Sequence, residues 1–285
     1  MSYQKTIINF CPTGMVPTKK MTPHVPVSVS EIVEEVHWAH EKGITIAHIH
    51  ARDESGAPTH RMQVYSDIFE GIRKYCPGLL ICGSTSGRLN PEFEKRSEVI
   101  ELQPDMCSLT LSSLNFPKSA SVSEPETIKK LAAKMKKYGV HPELECFELG
   151  MINYGKYLIE KEYLKPPFYW NLLFGNVAGF QANLLQMGTA VQAIEGEHHV
   201  ALTGIGDDQF PVQATAVAMG YGVRVGLEDN IWADHRRTKL ATNSFMLNRI
   251  HRLLDNHERD YMRPEAFGEL GFYNNKKRTF RDTPK

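Results

Sequence analysis

The run His48-Ile49-His50-Ala51-Arg52-Asp53 carries two imidazoles separated by one residue. On an extended strand that spacing places both on one face. Imidazoles arranged so at a strand end can converge on one Zn2+, at about 2.0–2.1 Å each. The bland alternative is a pair of structural or hydrogen-bonding histidines. A catalytic zinc site needs a third protein ligand, and the run Arg224-Val225-Gly226-Leu227-Glu228-Asp229-Asn230 offers Glu228. A set of His48, His50 and Glu228 leaves one coordination position open, as Lewis-acid catalysis requires. Against it stands the use of Glu228 and Asp229 to cap the following loop or to pair with Arg224.

Other polar groups recur beside apolar runs. Ser84, Thr85 and Ser86 follow one such run, Ser108 and Thr110 lie within another, and Glu143 and Glu145 share a face of a third. A carboxylate near a metal serves as acid, base or a clamp on a ligand. The hydroxyls of Ser84 and Thr85 suit a substrate carboxylate, although each has an ordinary structural use as well. The run Thr203-Gly204-Ile205-Gly206-Asp207-Asp208 resembles a glycine loop entering a helix, a common phosphate site. Its two acids suit the helix dipole but repel a phosphate, so no tight phosphate cradle is expected there. Gly175-Asn176-Val177-Ala178-Gly179 is the less hostile glycine-containing loop.

These residues fall at the ends of short apolar runs that alternate with helical stretches along most of the chain. Strands are predicted at 6–11, 45–50, 79–83, 106–111, 144–149, 169–174, 199–203 and 222–225. Helical periodicity fills 91–99, 124–138, 152–163, 180–193, 208–219 and 239–255, and also 62–75. A further helix starts at Ser28, where Ser28 and Glu31 have capping-box spacing, and ends near Gly43. Eight βα units predict an α/β fold, a closed (β/α)8 TIM barrel. An open doubly wound sheet is the runner-up, but no GxGxxG or Walker A sequence follows the first strand. One barrel domain is expected over 1–285, with a C-terminal extension from about residue 256 and a basic polar tail, KKRTFRDTPK.

Composition narrows the remaining choices. With 33 Lys plus Arg against 33 Asp plus Glu, the 285-residue chain has no general pull toward nucleic acid or anionic lipid. It has no 18-residue uncharged apolar run for a membrane span and no secretory signal at its start. The five cysteines are widely spaced without a CxxC, which points away from disulfides or a thiolate zinc cluster and toward a reducing, cytoplasmic setting. Apolar and aromatic stretches such as Phe168-Tyr169-Trp170 point to self-assembly.

Taken in order, TPHVPV at 22–27, HIHARDESGAP at 48–58, ICGSTSGR at 81–88, HPELECFELGM at 141–151, the GIG and QFP elements at 204–211, and GYGVRVGLEDN at 220–230 resemble the β-keto acid cleavage enzymes. The resemblance covers about residues 5–255. It implies a zinc-dependent (β/α)8 barrel that takes a β-keto acid and acetyl-CoA and yields acetoacetate and a new acyl-CoA. It also implies metal ligands His48, His50 and Glu228, an Arg224–Asp229 catalytic pair, and Glu145 near metal and substrate. Ser84 would hold the substrate's carboxylate or ketone, with Ser108 a secondary contact. In the implied route Asp229, positioned by Arg224, takes a proton, and the resulting carbon nucleophile attacks the thioester. CoA leaves, returns to the ketone, and the carbon–carbon bond breaks. Arg224 is expected to depress the pKa of the carboxylate beside it. A homo-oligomer, most simply a tetramer, is implied too.

Two departures bear on substrate choice. The family's amino-substrate member has a glutamate in the first-strand loop, where this chain has Thr13-Gly14-Met15. That argues against a cationic substrate and for a neutral or anionic one. Asp207-Asp208 stand where many relatives carry an arginine, which bears on use of the acyl-CoA partner. The competing reading is a metal-dependent hydrolase or aldolase acting on a small keto acid without CoA.

Overall fold

In the computed structural model, which describes residues 5–194, 196, 198–274 and 276, eight parallel strands close into a barrel. They are β1 (Ile8–Phe10), β2 (Ile46–Ile49), β3 (Leu80–Gly83), β4 (Met106–Thr110), β7 (His141–Cys146), β8 (Tyr169–Phe174), β9 (His199–Gly204) and β10 (Gly222–Val225). Each pairs in parallel with the next, and β10 returns to β1 through the register Ile8↔Val223, Asn9↔Arg224, Phe10↔Val225. The (β/α)8 barrel expected from alternation is therefore the fold. The two remaining strands, β5 (Leu114–Asn115) and β6 (Ala120–Ser121), form an antiparallel hairpin inserted after β4.

Strand periodicity sorts the side chains. Outward residues such as Ala47, Ile49, Ile81, Leu109, Leu144, Trp170, Leu172, Leu202 and Val223 join the main core under the helices. The alternate residues fill the barrel in layers. Ile7, Ile46, Leu80, Met106, Tyr169 and Ala201 pack together at the strand starts, where Phe267 and Phe272 close the base. Those two rings stack at 4.1 Å between centroids. They come from α9 (Pro264–Phe267) and the tight turn after it, so the extension expected beyond residue 256 is a plug for the barrel's floor. Of the basic tail 276–285, all but Lys276 lies outside the described residues.

Local signals explain the helices. α1 (Val29–Lys42) begins with the expected capping box: Ser28 Oγ accepts from Glu31 N at 3.3 Å, and Glu31 Oε2 accepts from Ser28 N at 3.0 Å. α8 (Asn243–Asn256) starts four residues later than the periodicity suggests, because Thr242 caps it by accepting from Phe245 N. The fifth barrel strand also departs from expectation, ending at Cys146 instead of Leu149. His141 and Glu143 interrupt its apolar run, yet Glu143 is an interior residue satisfied by hydrogen bonds. The stretch Phe168-Tyr169-Trp170 is corrected as well: Tyr169 is buried inside the barrel, and Phe168 and Trp170 are buried in the core under the helices, so they provide no assembly surface. All five cysteines are free and buried. Among the described residues, no helix is long and apolar enough to cross a membrane.

Candidate active site

The inward phase that is apolar at the floor turns polar halfway up. Asn9, His48, Cys82, Glu143, Asn171, Thr203 and Arg224 are all buried. Glu143 is the hub: its Oε1 accepts from Asn9 Nδ2 at 2.7 Å and Asn171 Nδ2 at 2.9 Å, while its Oε2 meets His48 Nδ1 at 2.7 Å. Cys82 Sγ donates to the same Oε2. Thr203 orients Asn171 by donating to its Oδ1. Burial raises the Glu143 carboxyl, but the His48 imidazole outweighs it and lowers the pKa to about 2. Burial pulls His48 down, and the Glu143 charge more than reverses that. With Nδ1–H held by Glu143, the Nε2 lone pair of His48 faces the mouth.

There it meets His50. The two Nε2 atoms are 3.3 Å apart, and His50 Nε2 lies 3.1 Å from Glu228 Oε1. A tetrahedral cation with bonds of about 2.0–2.2 Å spaces its ligand atoms by about 3.3–3.6 Å. Ligand atoms of His48, His50 and Glu228 all lie within 4.8 Å of one another. Glu228 Oε2 is buried with no hydrogen-bond partner, a costly arrangement for a carboxylate oxygen. Two converging imidazole nitrogens and an orphaned carboxylate oxygen fit a divalent cation. A second cluster, His48, Cys82 and Glu143, is geometrically compact too. Its Glu143 is already saturated, and burial together with Glu143 raises the Cys82 thiol well above its usual range, so it stays protonated.

Backbone geometry presents Glu228. Gly226 adopts φ +148°, and a Cβ there would lie 2.0 Å from the Cys11 carbonyl oxygen. Gly14 (φ +64°) passes so close that a Cβ would meet Glu228 Cγ at 2.5 Å. The loop carrying Gly14 is clamped by Arg52, which donates to the carbonyls of Gly14 and Pro17. Asp53, by contrast, faces solvent and caps its own turn through Ser55 and Ala57.

Arg224 gathers the mouth's acids. Its Nε donates to Asp229 Oδ2 at 2.9 Å, Nη1 to Glu145 Oε1 at 3.3 Å, and Nη2 to Glu228 Oε1 at 2.5 Å. Glu145 is also held by Thr110 Oγ1 at 2.8 Å. Burial raises Glu228, but Arg224 and the two histidines overturn it and hold Glu228 well below the carboxylate range. Asp229 goes the other way. Burial raises it to about 6, against Arg224 and with the help of the Glu228 charge. Arg224 does depress the carboxylates beside it, as expected, but one guanidinium divided among three carboxylates does not offset the burial of Asp229. Glu145 is likewise raised by burial and by Glu143.

These groups open into a cleft of about 280 Å³. His48, His50, Ser84, Ser108, Glu145, Arg224, Glu228 and Asp229 all line it. Thr85 does not: its hydroxyl donates to the Ser108 carbonyl, and its N–H to Ser108 Oγ at 3.1 Å. Thr85 therefore fixes Ser108 and the β3 end. In the loop after β9, Asp207 pairs with Arg237 at 3.0 Å, and Gly206 N–H bonds to Asp229 O, which ties this loop to the end of β10. Sequence reasoning assigned Asn9 and Asn171 no role, and it offered Glu143 only as one of several carboxylates that could serve as acid, base or clamp near a metal. The available signal was a polar residue in the inward phase of an otherwise apolar strand, as in Tyr169-Trp170-Asn171-Leu172-Leu173-Phe174.

Comparison with known proteins identifies the family. Residues 5–270 match the family described as beta-keto acid cleavage enzyme. The chain is 30% identical over 94% of its length to a 3-keto-5-aminohexanoate cleavage enzyme of Acetoanaerobium sticklandii, covering 98% of that protein. It is 31% identical to a 3-oxoadipate:acetyl-CoA acetyltransferase of Cupriavidus necator, with 92% of each chain aligned. Among solved structures, apo ObcA superposes with a TM-score of 0.72 at 15% identity, over 88% of this chain and 66% of that one, a likeness of fold. With its barrel, its polar mouth and these matches, the chain belongs to the β-keto acid cleavage enzyme family.

Proposed function

We propose that the protein is a zinc-dependent transferase that condenses a small β-keto acid with acetyl-CoA and cleaves it, releasing acetoacetate and a new acyl-CoA. The observation that carries this reading is the convergence of His48 Nε2, His50 Nε2 and the Glu228 carboxylate, one of whose oxygens has no partner, beside an Arg224-held Asp229. His48, His50 and Glu228 would hold the cation, whose chemistry is Lewis-acid polarisation of the keto acid's oxygens. Asp229, with a pKa near 6, is a base matched to neutral pH and takes the proton on carbon. Arg224 keeps its Oδ2 aimed and adds positive charge where negative charge develops. Glu145, held by Thr110 and Arg224, is placed for proton return to the leaving carbon. Ser84 and Ser108 line the cleft as donors to the substrate's carboxylate or ketone. The acetyl-CoA requirement is brought from the relatives' reactions, such as the Cupriavidus acetyltransferase.

Assembly as a tetramer extends the proposal, supported by Leu184 and Leu185, 76% and 79% exposed at the start of α6 (Leu184–Ala193). Purified protein should carry about one zinc per chain, lost in the His48→Ala, His50→Ala double variant. Supplied with β-keto acids, it should form acetoacetate only when acetyl-CoA is present. Acetoacetate or free acid formed equally without acetyl-CoA would establish the hydrolase or aldolase reading instead.

A further inference from the structure

Two guanidinium groups line the cleft, and they differ in one respect. Arg224 is neutralised by Glu145, Glu228 and Asp229. Arg88, on the loop between β3 and α3 (Phe93–Glu101), has no carboxylate partner among the described residues. It is nevertheless held in place. Its Cζ lies 4.0 Å from the centroid of the Phe116 ring, and its Nε donates to Ser119 Oγ at 3.3 Å. Phe116 in turn packs edge-on against Phe147 at 5.8 Å. The hairpin that carries Phe116 and Ser119 is tied down by Asn176 Nδ2, which donates to Asn115 O at 2.9 Å. Arg96 secures its far end through the Val122 carbonyl and Ser123 Oγ. A rigid, half-buried cation with free Nη donors and no counter-charge is a seat for an anion.

From this we infer that the substrate is a β-keto acid whose far end carries a second carboxylate, and that Arg88 binds that carboxylate. The inference rests on the reading of the site as a β-keto acid cleavage centre and names its substrate class. Leu114, Phe116 and Pro117 form the wall beside Arg88, which suits a short methylene chain between the two charged ends. The first-strand loop contributes Met15 and Val16 to the cleft and no acid, while every acid in the cleft is engaged by Arg224. A cationic tail therefore finds no partner. The phosphates of CoA are the other source of negative charge, but they call for several cations, and among the described residues Arg88 is the cleft's one basic side chain apart from Arg224 and the two histidines.

The test compares three keto acids of equal chain length, 3-oxohexanedioate, 3-oxohexanoate and 6-amino-3-oxohexanoate, each with acetyl-CoA. Wild-type kcat/KM should be highest for the diacid. Arg88→Gln should lower it about 10-fold to 100-fold for the diacid, mainly through KM, and leave the neutral acid unchanged. Arg88→Lys should restore part of the preference. Unreactive hexanedioate should protect the wild type, but not Arg88→Gln, against thermal unfolding more than hexanoate does, a readout independent of turnover. Equal rates on diacid and neutral acid, or equal losses on all three in Arg88→Gln, would overturn the inference while leaving the cleavage reading intact. A raised KM for acetyl-CoA alone would assign Arg88 to the thioester's phosphates and overturn it too. If none of the three acids is cleaved, the cleavage reading fails, and the hexanedioate protection still decides whether Arg88 seats a carboxylate.

Discussion

At the scale of single residues, the least expected finding is how much depends on Glu143. It lies beneath the proposed cation ligands and touches no open space, yet it sets the tautomer of His48 and shares its charge with four donors. Removing such a partner of a metal-bound histidine costs about 10–100-fold in metal affinity. Glu143→Gln should show that loss in competition with a zinc chelator, while its circular dichroism spectrum stays that of the wild type. The isosteric amide still fills the space, so unchanged affinity would mean that the negative charge of Glu143 is not needed to hold His48 in place. The His48-x-His50 spacing and the Glu228-Asp229 pair were legible because the chemistry lies in residue type and local phase. Glu143 was harder to assign, since its role is defined by Asn9, Asn171 and His48, 134, 28 and 95 positions away in the chain.

Elements act here by aiming side chains. The end of β10 bends through Gly226 so that Arg224 points into the barrel and Glu228 returns over its rim. The φ of +148° is open to glycine, and a methyl group would collide with Cys11 O at 2.0 Å. Gly226→Ala should therefore displace the segment 226–229 and lower zinc affinity by about tenfold or more, by the same logic that governs misplaced ligands. Gly188→Ala is the matched control: its Cβ meets nothing within 4 Å, and inside a helix the change should stabilise by about 0.5–1 kcal/mol. Element existence was plain from periodicity, and the capping box marked the start of α1. Boundaries failed where burial of a polar side chain broke the apolar pattern, as at Glu143 in β7.

Across the whole molecule, the barrel separates stability from chemistry. Its floor is apolar and sealed by Phe267 and Phe272, both fully buried; its mouth is polar and carries the cleft. Phe272→Ala should cost about 3–5 kcal/mol of unfolding free energy, as other large core truncations do. Zinc content should stay at the wild-type level in the folded fraction, because the plug lies at the opposite end from His50 and Glu228. A urea melt with parallel metal analysis checks both halves of that expectation. The eight-unit alternation, the facing imidazoles and the family blocks were written in the order of residues, since strand phase and helix caps are local properties. The counting of charges was not: that Arg224 serves three carboxylates, that Asp229 rises to about 6, and that Arg88 serves none among the described residues follow from which strands and loops become neighbours when the barrel closes. Electrostatic energy depends on distance and dielectric, and both are properties of the folded chain.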